Sequence, residues 1–431
     1  MKTYFIYTFG CAMNEYDSER IAAMLESKGF LPAISDSAAD IVILNTCSVR
    51  ERPQHKVESF IGQLRKSTKR FGKPQKVGIM GCVAQQMGQA FLKRFSNVDF
   101  VLGTDRLSRL PEVLELISAG ERIADIDTLK SEFSISPFKH KRGISSSVTV
   151  MKGCDNFCSY CIVPYVRGRE TSRSPIEILD EIKNLTDMGV RDITLLGQNV
   201  NSYSSLPFAE LLSRAAQVEG VLRLRFMTSH PKDLSMDIVH AMAEHKNICR
   251  YIHLPLQSGS NRILELMNRR YTWEGYYDKI LQAKAIIPEL IFSSDFIVGF
   301  PGESEADFED TLSAVRTMRY ESIYAFNYSV RPGTAAEKLA DDLPLVDKTA
   351  RLNRLQTLQE ELSLERYNAM LGKSVSVLVE GVSKRDDGAY TGRTVHSRIM
   401  NFTSETPVEV GTEIDVEITE VKRNTLYGVY R

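Results

Sequence analysis

The chain has 431 residues, enough for about three domains of roughly 150 residues each. Hydrophobic residues make up 43% and charged residues 25%, with a net charge of −1. That balance supports ordinary globular cores and excludes a globally basic nucleic-acid binder, though not a local basic patch. No apolar run reaches the ~18 residues of a membrane span. The opening MKTYFIYTFGCAMNEYDSER lacks a small-residue cleavage site and soon turns acidic, so a cytoplasmic protein without a signal peptide is expected.

Residues 1–120 alternate strand and helix. TYFIYTF, IVILNT, KVGIMG and DFVLG read as strands. Between them, EYDSERIAAMLESKG reads as an amphipathic helix closed by Gly29, a helical stretch runs to about Arg70, and MGQAFLKRF forms another helix. This alternation, with apolar β-branched strands, predicts an open parallel α/β sheet. Residues 121–146 lack periodicity and read as a linker. From 147 to 370 a second α/β region follows, with strands SVTVMK, ITLLG, LRLRFM, YIHLPL, IFSSDFIVGF and SIYAFNYS. Six strand–helix units fall short of the eight that close a barrel, so an open partial (β/α)6 barrel is expected. Residues 371–431 change to short strands and turns, a small all-β module read as a five-stranded barrel.

Six of the seven cysteines form two sets of three. Cys154, Cys158 and Cys161 share one loop, KGCDNFCSYCIVPY, directly after the first strand of the second region. Cys11, Cys47 and Cys82 are scattered at almost equal intervals, each just beyond a predicted strand. That places all three at the carboxyl-terminal edge of one sheet, where open α/β sheets bind ligands. A reducing compartment favours metal ligation over disulfides. Zinc would ask for a fourth close Cys or His, and a ferredoxin for a fourth cysteine and a second matching motif; neither is present. Three thiolates fill three corners of a [4Fe-4S] cube and leave one iron open. For the scattered set the competing reading is three separate buried thiols. The seventh, Cys249, in KNICRYIHLPL, reads as a core residue.

The CxxxCxxC loop after the first strand of a six-unit α/β region resembles the radical S-adenosylmethionine (SAM) superfamily. The resemblance implies that the open iron of that cluster chelates SAM and that electron transfer then releases a 5′-deoxyadenosyl radical. It also implies SAM contacts from Tyr160, from Gly197, Gln198 and Asn199 in LLGQNVNSY, from Ser229 in FMTSHP, from His253 and Gln257 in HLPLQSGS, and from Val298 in DFIVGFPGE. FGCAMNEYDSE, ADIVILNTCSVRE and GCVAQ, around the scattered cysteines, resemble the methylthiotransferase branch. Among its members they look most like the MiaB type. The resemblance covers nearly the whole chain, including a C-terminal barrel similar to the TRAM domain. It implies two [4Fe-4S] clusters and two SAM. The set of Cys11, Cys47 and Cys82 would carry the sulfur that is methylated and installed on N6-isopentenyladenosine at tRNA position 37. Threonylcarbamoyladenosine, a ribosomal-protein aspartate, or a non-catalytic RNA-binding iron–sulfur protein stand as alternatives.

A tRNA anticodon stem-loop needs basic surface. Arg50, Arg52, Lys66, Lys69 and Arg70 lie in a basic run just after Cys47, Arg167 and Arg169 follow the cysteine loop, and Arg393 lies in the barrel. The competing reading is a solvated charged face. An electron donor such as flavodoxin or ferredoxin, and an iron–sulfur assembly or sulfur source, complete the expected partners. No membrane contact is expected.

Overall fold

The computed structural model describes residues 2–431 except 49–56, 65–74, 129–132, 134, 136–137, 139–142, 384–387 and 423–424. It comprises two compact units. The first holds Met1–Lys141, Met151–Phe157 and Cys161–Arg173; the second holds Arg142–Val150, Cys158–Tyr160 and Ser174–Arg431.

The first unit is built on strands β1 (Thr3–Phe9), β2 (Leu31–Pro32), β3 (Ile41–Thr46), β4 (Lys76–Gly81), β5 (Phe100–Leu102) and β6 (Ile123–Asp125). They form one parallel sheet in the order β2-β1-β3-β4-β5-β6. Helices α1 (Ala12–Ser27), α2 (57–64 as described), α3 (Cys82–Met87), α4 (Gln89–Arg94) and α5 (Leu110–Ser118) cover both faces. Side chains alternate along β3. Ile41 and Ile43 join Ile21 and Leu25 of α1 and Leu110 and Val113 of α5. Val42 and Leu44 join Val57 and Ile61 of α2 and Phe91 of α4. A strand buried on both faces reads as a continuous apolar run, which is why IVILNT was visible in the sequence. The edge strand β6 was not. It occupies the start of the stretch expected as a linker, and its Asp125 is held by Arg109 and by Arg106 at 3.0 Å. Three residues ending in a paired carboxylate carry no periodicity to detect.

Next in the chain come β7 (Ser145–Thr149), which opens the second unit, and an antiparallel pair, β8 (Met151–Lys152) and β9 (Thr171–Ser172). This pair brackets the short helix α6 (Val163–Val166) and belongs with the first unit.

The second unit continues with α7 (Pro175–Asp187), β10 (Asp192–Leu196), α8 (Phe208–Ala216), β11 (Arg223–Met227), α9 (Met236–Glu244) and β12 (Tyr251–His253). Then follow α10 (Asn261–Leu266), α11 (Trp273–Ile286), β13 (Ile291–Val298), α12 (Glu305–Met318), β14 (Ser322–Asn327) and α13 (Leu345–Asn368). Two parallel three-stranded sheets, β11-β10-β7 and β12-β13-β14, are joined by a parallel bridge from Leu224 to Ile248. The result is the expected open six-strand array in chain order.

Strands β15 (Ser374–Val382), β16 (Tyr390–Thr394), β17 (Ile399–Ser404), β18 (Glu413–Lys422) and β19 (Thr425–Tyr430) close the expected five-stranded barrel, in the order β15-β16-β17-β19-β18. Tyr367 of α13 enters the barrel core beside Val377, Met400 and Phe402. Its hydroxyl donates to Glu321 at 3.0 Å, and Glu321 also accepts from Arg398 at 2.6 and 2.7 Å and from Arg366 at 3.2 Å. Cys249 is buried beside Arg225, as expected of a core residue, and burial pushes its thiol up.

Candidate functional site

In the first unit Phe9, Thr46 and Gly81 stand in register on adjacent strands β1, β3 and β4. Cys11, Cys47 and Cys82 follow one or two residues beyond. The structure therefore brings the scattered set to one edge of one sheet. Cys11 is exposed, and Cys47 and Cys82 are buried. Cys11 caps α1 and Cys82 opens α3, so both meet the positive end of a helix.

Two asparagines build this edge. Nδ2 of the fully buried Asn14 donates to Asn45 Oδ1 at 3.1 Å and to the Thr46 carbonyl at 3.3 Å. Asn45 Nδ2 returns bonds to the Asn14 carbonyl at 2.8 Å and Ser18 Oγ at 2.9 Å. The words CAMN and NTC thus have a structural cause: each asparagine locks a cysteine-bearing turn to its neighbour. Gly10 lets the chain close up, since a Cβ there would lie 2.5 Å from both Asn14 Oδ1 and Cys47 Cβ.

Arg167 completes the edge. Expected on an RNA-facing surface, it is instead buried at 7% exposure. Its Nε donates to Cys82 Sγ at 3.2 Å, and Nη2 lies 2.9 Å from Asp17 Oδ2. The charge sign was legible in the sequence; the inward direction was not. The Cys11 thiol is lowered to about 6, first by its hydrogen bond with Cys47 and further by the Arg167 charge. Burial pushes Cys82 up against the pull of the same guanidinium.

Among the described residues no three His, Cys, Asp or Glu side chains converge on a single metal ion. A cube asks for one thiolate per iron instead, and three edge thiols flanked by a buried cation and helix N-termini fit that demand. Ser48 Oγ, next to Cys47, is buried without a hydrogen-bond partner among the described residues, which also suits a site built around a further group.

The loop set has comparable support. Asn156 Nδ2 lies 3.4 Å from Cys154 Sγ. In the second unit, Arg269, buried at 4% exposure, donates to Cys158 Sγ at 3.2 Å and Tyr160 Oη at 3.3 Å. It also donates to the Pro255 carbonyl at 2.8 Å and to Tyr271 Oη at 2.7 Å. Sequence reasoning missed Arg269, because its partner lies more than a hundred residues away in the chain and no local pattern marks it.

The expected SAM contacts fall at the carboxyl ends of the parallel strands. Gly197, Gln198 and Asn199 follow β10, and the Gly197 N–H donates to the Met227 carbonyl at 3.1 Å. Asn199 Nδ2 donates to Asp233 at 2.8 Å. Ser229 follows β11, His253 ends β12, and Val298 ends β13. His253 Nδ1 meets Ser293 Oγ at 2.8 Å, and its Nε2 lies 3.5 Å from Asp295. Gln257, at φ 77°, ties the loop after β12 to the Asp295 carbonyl at 2.9 Å. Ser229 Oγ and the neighbouring His230 Nε2 are buried without hydrogen-bond partners among the described residues. His230 Nδ1 accepts the Lys232 N–H, so the neutral ring carries its proton on Nε2, a donor awaiting an acceptor. Burial, then the charges of Arg269 and Lys232, hold His230 far below its usual range. Two unmet polar groups at this strand end fit a polar ligand such as SAM.

Of the other basic residues expected at RNA, Arg50, Arg52, Lys66, Lys69 and Arg70 lie outside the described residues. Arg169 is exposed, pairs with Asp155 at 3.0 Å and covers the Phe157 ring at 5.0 Å. Arg393 on β16 pairs with Glu380 at 3.0 Å.

Three family models match the chain: Uncharacterized protein family UPF0004 over residues 3–103, the Radical SAM superfamily over 148–315, and the TRAM domain over 368–430. A relative from Geobacter metallireducens is 46% identical, over 99% of this chain and 98% of its own; it is named tRNA-2-methylthio-N(6)-dimethylallyladenosine synthase. One of the same name from Carboxydothermus hydrogenoformans is 45% identical, over 99% of each chain. Among solved structures, the radical S-adenosylmethionine methyltransferase TsrM from Kitasatospora setae is similar in fold. The TM-score is 0.57 at 16% identity, over 78% of this chain and 77% of that one.

Proposed function

Because the chain belongs to the tRNA-2-methylthio-N(6)-dimethylallyladenosine synthases, a radical SAM family, we propose that its two cysteine sets divide the work of that reaction. The enzyme converts N6-isopentenyladenosine (the same nucleoside as N6-dimethylallyladenosine) in tRNA to its 2-methylthio form. Position 37, 3′ of the anticodon, is the site we assign. Cys154, Cys158 and Cys161 would hold a [4Fe-4S] cluster that meets SAM, and Cys11, Cys47 and Cys82 a second one. When bound, these groups supply the electron transfer, radical and sulfur chemistry that no side chain can provide at an aromatic C–H bond.

The chain's own residues do the placing. Asn14 and Asn45 fix the edge cysteines, and Arg269 ties Cys158 and Tyr160 to the exit of β12. Ser229, His230 and Asn199 offer polar groups at the strand ends. An unpaired loop base suits recognition by stacking and edge contacts. A flavodoxin- or ferredoxin-like donor, a sulfur source and a cytoplasmic setting go with this reading. Among the described residues no helix is long and apolar enough to cross a membrane.

The observation that carries the division of work is the arrival of Cys11, Cys47 and Cys82 at one sheet edge beside a buried guanidinium. Cys47→Ala should leave reductive SAM cleavage to 5′-deoxyadenosine largely intact. The same variant should abolish 2-methylthio-isopentenyladenosine in tRNA from a complemented deletion strain. Equal loss of both activities would refute the division, and a wild-type chain that released no 5′-deoxyadenosine would refute the radical chemistry itself.

A further inference from the structure

A guanidinium taken out of water costs several kcal/mol unless fixed charges and acceptors replace its hydration. Arg167 meets that requirement in one direction with Asp17, itself only 3% exposed. In the other direction its Nε points at a sulfur, Cys82 Sγ. The surroundings hold that aim. Ile162 and Val166 pack with Cys82 in one apolar cluster, and Thr104 Oγ1 donates to the Val166 carbonyl at 2.6 Å, pinning the end of α6 from which Arg167 projects. A neutral thiol is a weak acceptor and returns little for a buried N–H. An iron-bound thiolate is a charged one, and hydrogen bonds to ions are about twice as strong as neutral ones.

The geometry points to Arg167 as the positioning residue of the edge cluster: a fixed cation that grips the Cys82 sulfur once iron is bound and is itself braced by Asp17. The inference rests on the reading that Cys11, Cys47 and Cys82 hold a cluster. Arg167 also lies on the segment that begins at Cys161. The stretch that carries the last cysteine of the loop set therefore carries the outer partner of the edge set. Partners of this kind orient ligands and tune the metal group, and losing one typically costs about 10–100-fold in metal affinity.

The test uses the full-length chain with Cys154, Cys158 and Cys161 changed to Ala, so that bound iron reports on the edge set alone. Iron release to a chelator and the midpoint potential are measured after reconstitution. Arg167→Met should release iron about 10–100-fold faster and shift the potential to more negative values, since the reduced cluster loses a nearby positive charge. Arg167→Lys, which keeps the charge but cannot span both partners, should recover part of each effect. If the parent binds no iron, the cluster reading fails. If the parent binds iron and Arg167→Met matches it in release and potential, the inference is overturned. Should Arg167→Met not fold, Asp17→Asn removes the brace while leaving the guanidinium. It should also speed release, and unchanged release would overturn the inference.

Discussion

Gly81 closes β4 directly before Cys82 at φ 89° and ψ −156°. Only glycine occupies that region without strain, and another residue there costs about 1–3 kcal/mol. A Cβ would also lie 2.6 Å from Asn45 Oδ1 and 2.6 Å from the Thr46 carbonyl oxygen, neither of which is the loose end of a flexible chain. Overpacking of this kind adds about 1–3 kcal/mol, so Gly81→Ala should cost about 2–6 kcal/mol. Gly29 supplies the control. It sits at φ 80° with nothing within 4 Å of its would-be Cβ. Gly29→Ala then carries only the left-handed penalty of about 1–2 kcal/mol. Native-state hydrogen exchange of β3 and β4 amides in the full-length chain gives the opening free energies. Iron content of the edge set gives the functional readout, and it should fall for Gly81→Ala while staying unchanged for Gly29→Ala. Equal protection and equal iron in the two variants would refute the claim that Gly81 shapes the seat of Cys82.

Arg269→Gln removes the grip on Cys158 and Tyr160. In a Cys47→Ala background it should loosen iron on the loop set about 10–100-fold and slow SAM cleavage in parallel; unchanged iron release would contradict this. Burial would raise Glu321, but Arg398 and Arg366 hold its carboxyl below the usual range. A depressed carboxylate contributes stability above its unfolded value near 4.3, and that share is lost as pH falls through the lower folded value. Glu321→Gln should therefore flatten the acid limb of stability. It should also cost about 3–5 kcal/mol at neutral pH, because buried guanidinium groups lose their counter-charge. Limited proteolysis between α13 and the barrel against pH would report both effects, and an unaltered pH profile would argue against them.

The two cysteine sets were legible for different reasons. The loop set is a local word. The edge set was legible only because each cysteine follows a strand whose apolar run was itself readable, so counting strands located the edge. What escaped the sequence is directional. Arg167 and Arg269 look like any surface arginine in a charged stretch, and the fold alone turns them inward onto sulfur. Asn14 and Asn45 were read as family words, and only the structure showed them bonding to each other. The edge strand β6 was hidden by its brevity.

The contrast in chain distance between the two sets has a consequence for maturation. Cys154, Cys158 and Cys161 lie within one short loop and can offer their thiolates to iron before any long-range contact exists. Cys11, Cys47 and Cys82 become neighbours only when β1, β3 and β4 have paired across long crossovers, which closes late because non-local contacts are slow to form. On the proposed two-cluster reading, loading of the edge set would wait on a finished sheet, while loading of the loop set would not. A chain that meets iron too early would fill its loop first and reach its edge last.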